Sequence, residues 1–136
     1  MADRAAIVGV GQTHHASKRN DVSLPEMVGE AVRAALADAQ LGIKDIETSI
    51  FSNMEAFEGI HLPDHGMVAE VGAVGMPGLK VTGGGTTGSE AVAEGCHMIT
   101  AGLFDVAMVI SWQKHDCGDA TAGISAAAVP TFAKGM

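Results

Sequence analysis

With 136 residues, 47% of them hydrophobic and 18% charged, the chain has the size and balance of one globular domain able to bury a core. Eight Lys+Arg against sixteen Asp+Glu give a formal charge of −8, and no stretch gathers basic residues beyond Lys18-Arg19, which argues against a nucleic-acid groove. Every apolar run falls short of the ~20 residues a membrane span needs, and the N-terminus enters a strand without a signal-peptide pattern, so the expectation is a cytoplasmic protein with no membrane partner.

Ala5 to Gly11 is a short continuous apolar run, the pattern of a strand buried on both faces. Residues 12–22, with His14-His15, are polar and aperiodic and read as a loop. Ser23-Leu24-Pro25-Glu26 forms a capping box with Pro in the first turn, and apolar residues at 24, 28, 31, 32, 35, 36 and 39 match a helix that Gly42 stops. Thr48 to Ser52 reads as a second strand, and Asp64 caps a helix over 65–73 bearing Met67, Val68, Val71 and Val74, broken by Pro77-Gly78. Leu79 to Thr82 is the third strand, 86–102 the third helix and Phe104 to Trp112 the fourth strand, after which the pattern stops. Strand alternating with helix predicts an α/β fold, βαβαβαβ, with a mostly parallel sheet and helices on both faces.

Chemistry concentrates in Lys80-Val81-Thr82-Gly83-Gly84-Gly85-Thr86-Thr87-Gly88, a glycine-rich turn between an apolar strand and a helix of small residues. A helix N-terminus there aims bare backbone N–H groups at whatever sits above it, which suits a thioester or enolate oxygen. Gly9-x-Gly11 after the first strand lacks the third glycine and the immediate helix of a dinucleotide site. His14-His15 and His115-x-Cys117 have no partners at metal-ligand spacing, so no metal is expected. Cys96 lies in an apolar helix, and Cys96 and Cys117 are expected to be reduced thiols. Met27, Met67, Met98 and Met108 fall at core-facing positions.

The glycine-rich turn resembles the nucleophile loop of the thiolase superfamily, where a strand runs into a Cys-small-Ser/Thr-Gly turn and then a buried helix. Ala6-Ile7-Val8-Gly9-Val10-Gly11-Gln12-Thr13, the helix Glu30 to Ala39, Asn53-Met54 and the strand ending Ser111-Trp112-Gln113-Lys114 are similar in order and spacing to the sterol-carrier-protein-type and archaeal-type thiolases. The resemblance implies the N-terminal half-domain of a thiolase-like fold over residues 1–112, with 113–136 the start of an irregular loop region in an apparently truncated chain. It implies an enzyme or enzyme fragment acting on acyl-CoA thioesters by acyl transfer, Claisen or retro-aldol chemistry. Coenzyme A thioester is then a substrate, with no permanently bound cofactor.

Aligned on Thr87-Gly88, the nucleophile position is Gly85, with Thr86 and Thr87 beside it and Gly83, Gly84 and Gly88 as the substrate-facing backbone. Glycine offers no atom to take an acyl group, so thiolysis is lost while enolate stabilisation by N–H donors survives. Cys96, about three turns into the helix, cannot replace the missing thiol. The thiolase-like steroid side-chain aldolases look similar here, with Gly-Gly-Gly for the cysteine and a small OB-fold partner. Their acid/base residues are tyrosines, and this chain has none. The alternatives are a non-catalytic thiolase-like subunit in a homo- or hetero-oligomer and an unrelated stand-alone α/β domain.

Overall fold

The computed structural model describes residues 4–55, 57–115 and 121. Seven elements follow in chain order: α1 (Leu24–Ala39), a 3₁₀ turn (Ile43–Asp45), β1 (Thr48–Ser52), α2 (Asp64–Glu70), β2 (Gly78–Val81), α3 (Thr87–Thr100) and β3 (Ala107–Ser111). The strands form a parallel sheet in the order β2-β1-β3, in the register Ile50↔Leu79 and Ile50↔Val109. The α/β architecture and the parallel pairing agree with the alternation read from the sequence.

Faces follow from the strand period of two. Phe51, Met108 and Ile110 turn to one side, where Met27, Val28 and Val32 of α1, Met67 of α2 and Val71 just after it cover them. Trp112 joins this cluster with its ring edge-on to Phe51, the centroids 6.2 Å apart at 78°. Ile50 and Val109 turn to the other side and meet α3. A Cβ at Gly95 would lie 3.1 Å from Val109 Cγ2 and 3.3 Å from Ile50 Cδ1, so the missing side chain lets the helix settle onto the sheet. Central β1 is buried along its whole length.

The α1 N-terminus is built as its capping box predicts. Glu26 N–H donates to Ser23 Oγ at 3.4 Å, and Ser23 N–H donates to the Glu26 carboxylate at 2.8 Å. The Ser23 hydrogen bonds hold the Glu26 carboxyl below its usual range. At the other end Gln40, not Gly42, takes the left-handed conformation that ends the helix, with φ of 55°. Gly42 instead opens the 3₁₀ turn, its N–H donating to Asp45 Oδ2 at 2.7 Å. Asp64 is the first residue of α2 and its carboxylate faces Lys80; Pro63 precedes it as the cap. Val74 lies beyond the helix and is exposed.

The first expected strand differs most. Residues 4–11 make no strand pairing among the described residues, and Ile7, Val8 and Val10 are 73%, 65% and 68% exposed. The run lies instead on α1. A Cβ at Gly9 would stand 2.6 Å from Ala35 O, and one at Gly11 would fall inside the contact distance of Ala31 O and Ala35 N. Val10 N–H donates to Asp38 Oδ2 at 2.9 Å. Both glycines are thus consumed in backbone-to-helix packing rather than in a nucleotide turn. Of the methionines, Met27, Met67 and Met108 are buried and Met98 is half-buried.

Candidate functional site

Because the sheet is parallel, all three strands leave at the same end, the position at which open α/β sheets gather ligands. Ser52-Asn53, Thr82-Gly83 and Ser111-Trp112 follow β1, β2 and β3 there. Ser52 Oγ and Ser111 Oγ are 2.5 Å apart, Trp112 N–H donates to Ser52 O at 3.2 Å, and Thr82 Oγ1 donates to Asn53 O at 3.2 Å. The three exits are therefore tied together under the glycine loop.

The loop holds its own shape through Thr87. This side chain is buried; its Oγ1 accepts the Gly83 N–H at 3.0 Å and is within donating reach of the Gly83 and Gly84 carbonyls, the latter at 2.8 Å. Thr86 precedes the helix, and its hydroxyl donates to Glu90 Oε1, while the Glu90 carboxylate lies directly over Gly83 and fills the space a Cβ would need. Above Gly84 and Gly85 the opposite holds: a Cβ at either would meet nothing within 4 Å. Gly88 faces Ser111, whose Oγ would stand 3.6 Å from a Cβ. Among the described residues, no intramolecular acceptor takes the N–H of Gly85 or Thr86.

The structure brings Gly83, Gly84, Gly85, Thr86, Thr87 and Gly88 into one turn. Their parts differ: Thr87 is a structural clasp, Thr86 is engaged by Glu90, and Gly84-Gly85 form the open part. Cys96 is half-buried on α3, and Cys117 and Asp116 lie outside the described residues, as does nearly all of 113–136.

Sequence reading missed the buried polar group below the loop. Glu58 is 4% exposed; its carboxylate accepts Asn53 Nδ2–H at 3.0 Å and Lys114 N–H at 2.9 Å. Burial raises its pKa above the usual carboxyl range, opposed by the Lys114 N–H, the Asn53 amide and the charge of His115. His115 stacks on Phe57 with ring centroids 4.7 Å apart. A polar residue five positions before Glu58, at a strand exit, was the only local signal.

A second feature lies away from the loop, between β2 and α2. Here Lys80 pairs with Glu55 and, at 3.5 Å, with Asp64, beside a shallow cavity of about 280 Å³ lined by Phe51, Val68, Met76 and Leu79. Burial lowers the Lys80 pKa. The cavity does not reach the strand exits. Among the described residues no group of three His, Cys, Asp or Glu is placed to hold a metal ion, and no helix is long and apolar enough to cross a membrane.

No family model matches the chain. Sterol carrier protein 2 of Gallus gallus is 28% identical over 128 residues, 92% of this chain and 23% of the relative's length. The crystal structure of 3-oxoacyl-[acyl-carrier-protein] synthase III from Aquifex aeolicus superposes with a TM-score of 0.63 at 17% identity, covering 79% of this chain and 36% of that one. These similarities support a thiolase-superfamily relationship of the sterol-carrier-protein type. Its sheet and helices correspond to a thiolase-like half-domain, and it spans less than a quarter of the curated relative it matches.

Proposed function

We propose that the chain forms the thioester-facing part of a thiolase-like enzyme that works on acyl-CoA without a cysteine nucleophile. What carries the reading is the open turn at the strand exits, where no acceptor among the described residues takes the Gly85 or Thr86 N–H and no described atom fills the space in which a nucleophilic side chain would stand. Each such donor contributes about 3–4 kcal/mol to stabilising a developing oxyanion where this has been measured. Chemistry that passes through a thioester enolate and needs no acyl-enzyme fits this turn. In retro-aldol cleavage of a β-hydroxyacyl-CoA, a base takes the hydroxyl proton, the Cα–Cβ bond breaks, and the electron pair enters the thioester as an enolate that is then protonated. The base and acid come from thiolase-like segments beyond the loop.

Two measurements on the full-length protein test this. Wild type should bind acetyl-CoA with protection of the Gly83–Thr87 amides, and Gly85→Cys should acquire a covalent acyl group from it. Absence of both rejects the reading. A second reading, a non-catalytic subunit paired with another thiolase-like chain, is favoured by the exposure of Ile7, Val8 and Val10, which leaves apolar surface free for a partner. A protein that stays monomeric at high concentration and co-purifies with no second thiolase-like chain would rule that out.

A further inference from the structure

Glu58 presents an unusual arrangement for a buried carboxylate. Among the described residues its side-chain carboxylate accepts from two neutral donors, the Asn53 amide and the Lys114 main-chain N–H. A buried carboxylate whose hydrogen bonds come from neutral groups is costly even with the charge of His115 nearby, so packing alone does not account for a glutamate at this position. Asn53 is itself 1% exposed, and its Oδ1 has no hydrogen-bond partner among the described residues. Glu58 therefore fixes the orientation of the amide. The main-chain oxygen of the same asparagine accepts the Thr82 hydroxyl, one residue before Gly83. These bonds join segments 5, 56 and 29 residues apart. They connect the exits of β1, β3 and β2 in turn.

We infer that Glu58 and Asn53 are a positioning pair for the glycine loop, fixing the three strand exits relative to one another so that Gly84 and Gly85 stay open. The inference rests on the glycine loop being the thioester-facing element. Among the described residues Glu58 makes no hydrogen bond to the glycine loop; it acts through Asn53 and Thr82. Asn53 Oδ1 also gives the pair a way to accept a neutral replacement. A glutamine at 58 can keep its oxygen on the Lys114 N–H and turn its amide toward Asn53 Oδ1 once the asparagine amide flips.

Hydrogen exchange on the full-length protein tests the pair, read at the hydrogen-bonded amides of Gly83 and Thr87 against the α1 amides as internal reference. Glu58→Ala and Thr82→Val should each speed loop exchange by about tenfold while α1 stays unchanged, and Glu58→Gln should remain within about twofold of wild type. Loop exchange at the wild-type rate in the Ala and Val variants, or an equal rise in α1, overturns the inference. A Gln variant as loose as Ala overturns the hydrogen-bond account. Should Glu58→Ala fail to fold, Thr82→Val decides alone, since Thr82 is exposed and its hydroxyl is the only group removed. Absence of both acetyl-CoA binding by wild type and acylation of Gly85→Cys rejects the proposed function, whereas the exchange result tests the positioning pair separately.

Discussion

Substituting cysteine for Gly85 places a thiol in the space the loop leaves open. A Cβ there meets nothing within 4 Å, and the glycine does not adopt a left-handed backbone, so the side chain enters without displacing a neighbour. It sits two residues before Thr87, the first residue of a 14-residue helix. A helix N-terminus at an exposed site favours a negative charge by about 0.3–1 kcal/mol. At roughly 1.36 kcal/mol per pKa unit, a thiol that ordinarily titrates near 8.5 should fall to about 7.8–8.3. Glu90 opposes the shift, because its carboxylate lies over Gly83. The pH dependence of iodoacetamide alkylation, measured in a Cys96→Ala, Cys117→Ala background with and without Glu90→Gln, reads both effects. The Glu90→Gln version should titrate lower than the parent. A thiol at about 8.5 or above with Glu90 neutralised would show that position 85 does not feel the helix terminus, and the loop would lose its resemblance to a nucleophile turn.

Three further outcomes are expected. Ile50 is fully buried where β1, β3 and α3 meet, so Ile50→Ala should cost about 2–5 kcal/mol in urea unfolding, and a loss below about 1 would contradict its central place. Gly11→Val forces a side chain onto the α1 backbone; it should destabilise by about 1–3 kcal/mol and expose residues 4–11 to proteolysis, whereas an unchanged digestion pattern would mean that the segment does not lie on the helix. Burial raises the Glu58 pKa, so the folded protein binds its proton more readily than the unfolded chain does; the stability this gives is present below the ordinary carboxyl range and is lost as pH rises through the raised value. Glu58→Gln, neutral throughout, should therefore resist urea better than wild type near pH 7, with the gap closing toward about pH 4, and a gap that widens on acidification would refute the assignment.

Much of the fold could be read from local pattern. The Ser23 capping box and the helical period placed α1, the run Thr48–Ser52 placed β1, and the glycines between Val81 and Thr87 marked the strand-to-helix turn, because each of these signals lies within a few residues. What failed was tertiary. An apolar run such as Ala5–Gly11 predicts an extended backbone but not its neighbour, and the contacts of Gly9 and Gly11 are with helix residues Ala31, Ala35 and Ala39, far along the chain. The end of α1 was misplaced at Gly42 because glycine is the usual left-handed residue, while Gln40 adopts that conformation here. In the candidate site, the Gly84-Gly85 opening follows from the glycines themselves. The support beneath it joins Asn53, Glu58, Thr82 and Lys114 from separate strand exits, and no sequence window contains them all.

The order β2-β1-β3 has a kinetic consequence. β1 is the shared strand; its bonds to the β2 side close a span of 29 residues, and those to the β3 side a span of 59. Doubling a loop adds only about 0.6 kcal/mol of closure entropy, so both pairings are affordable at equilibrium. During synthesis they are not simultaneous. β1 and β2 emerge first and can pair while Ile50 and Phe51 still lack the strand that completes their cover, and the nascent chain carries an open, apolar sheet edge until β3 leaves the ribosome. The interval over which that edge persists is the window in which a chaperone, or a second nascent chain, competes with the native strand.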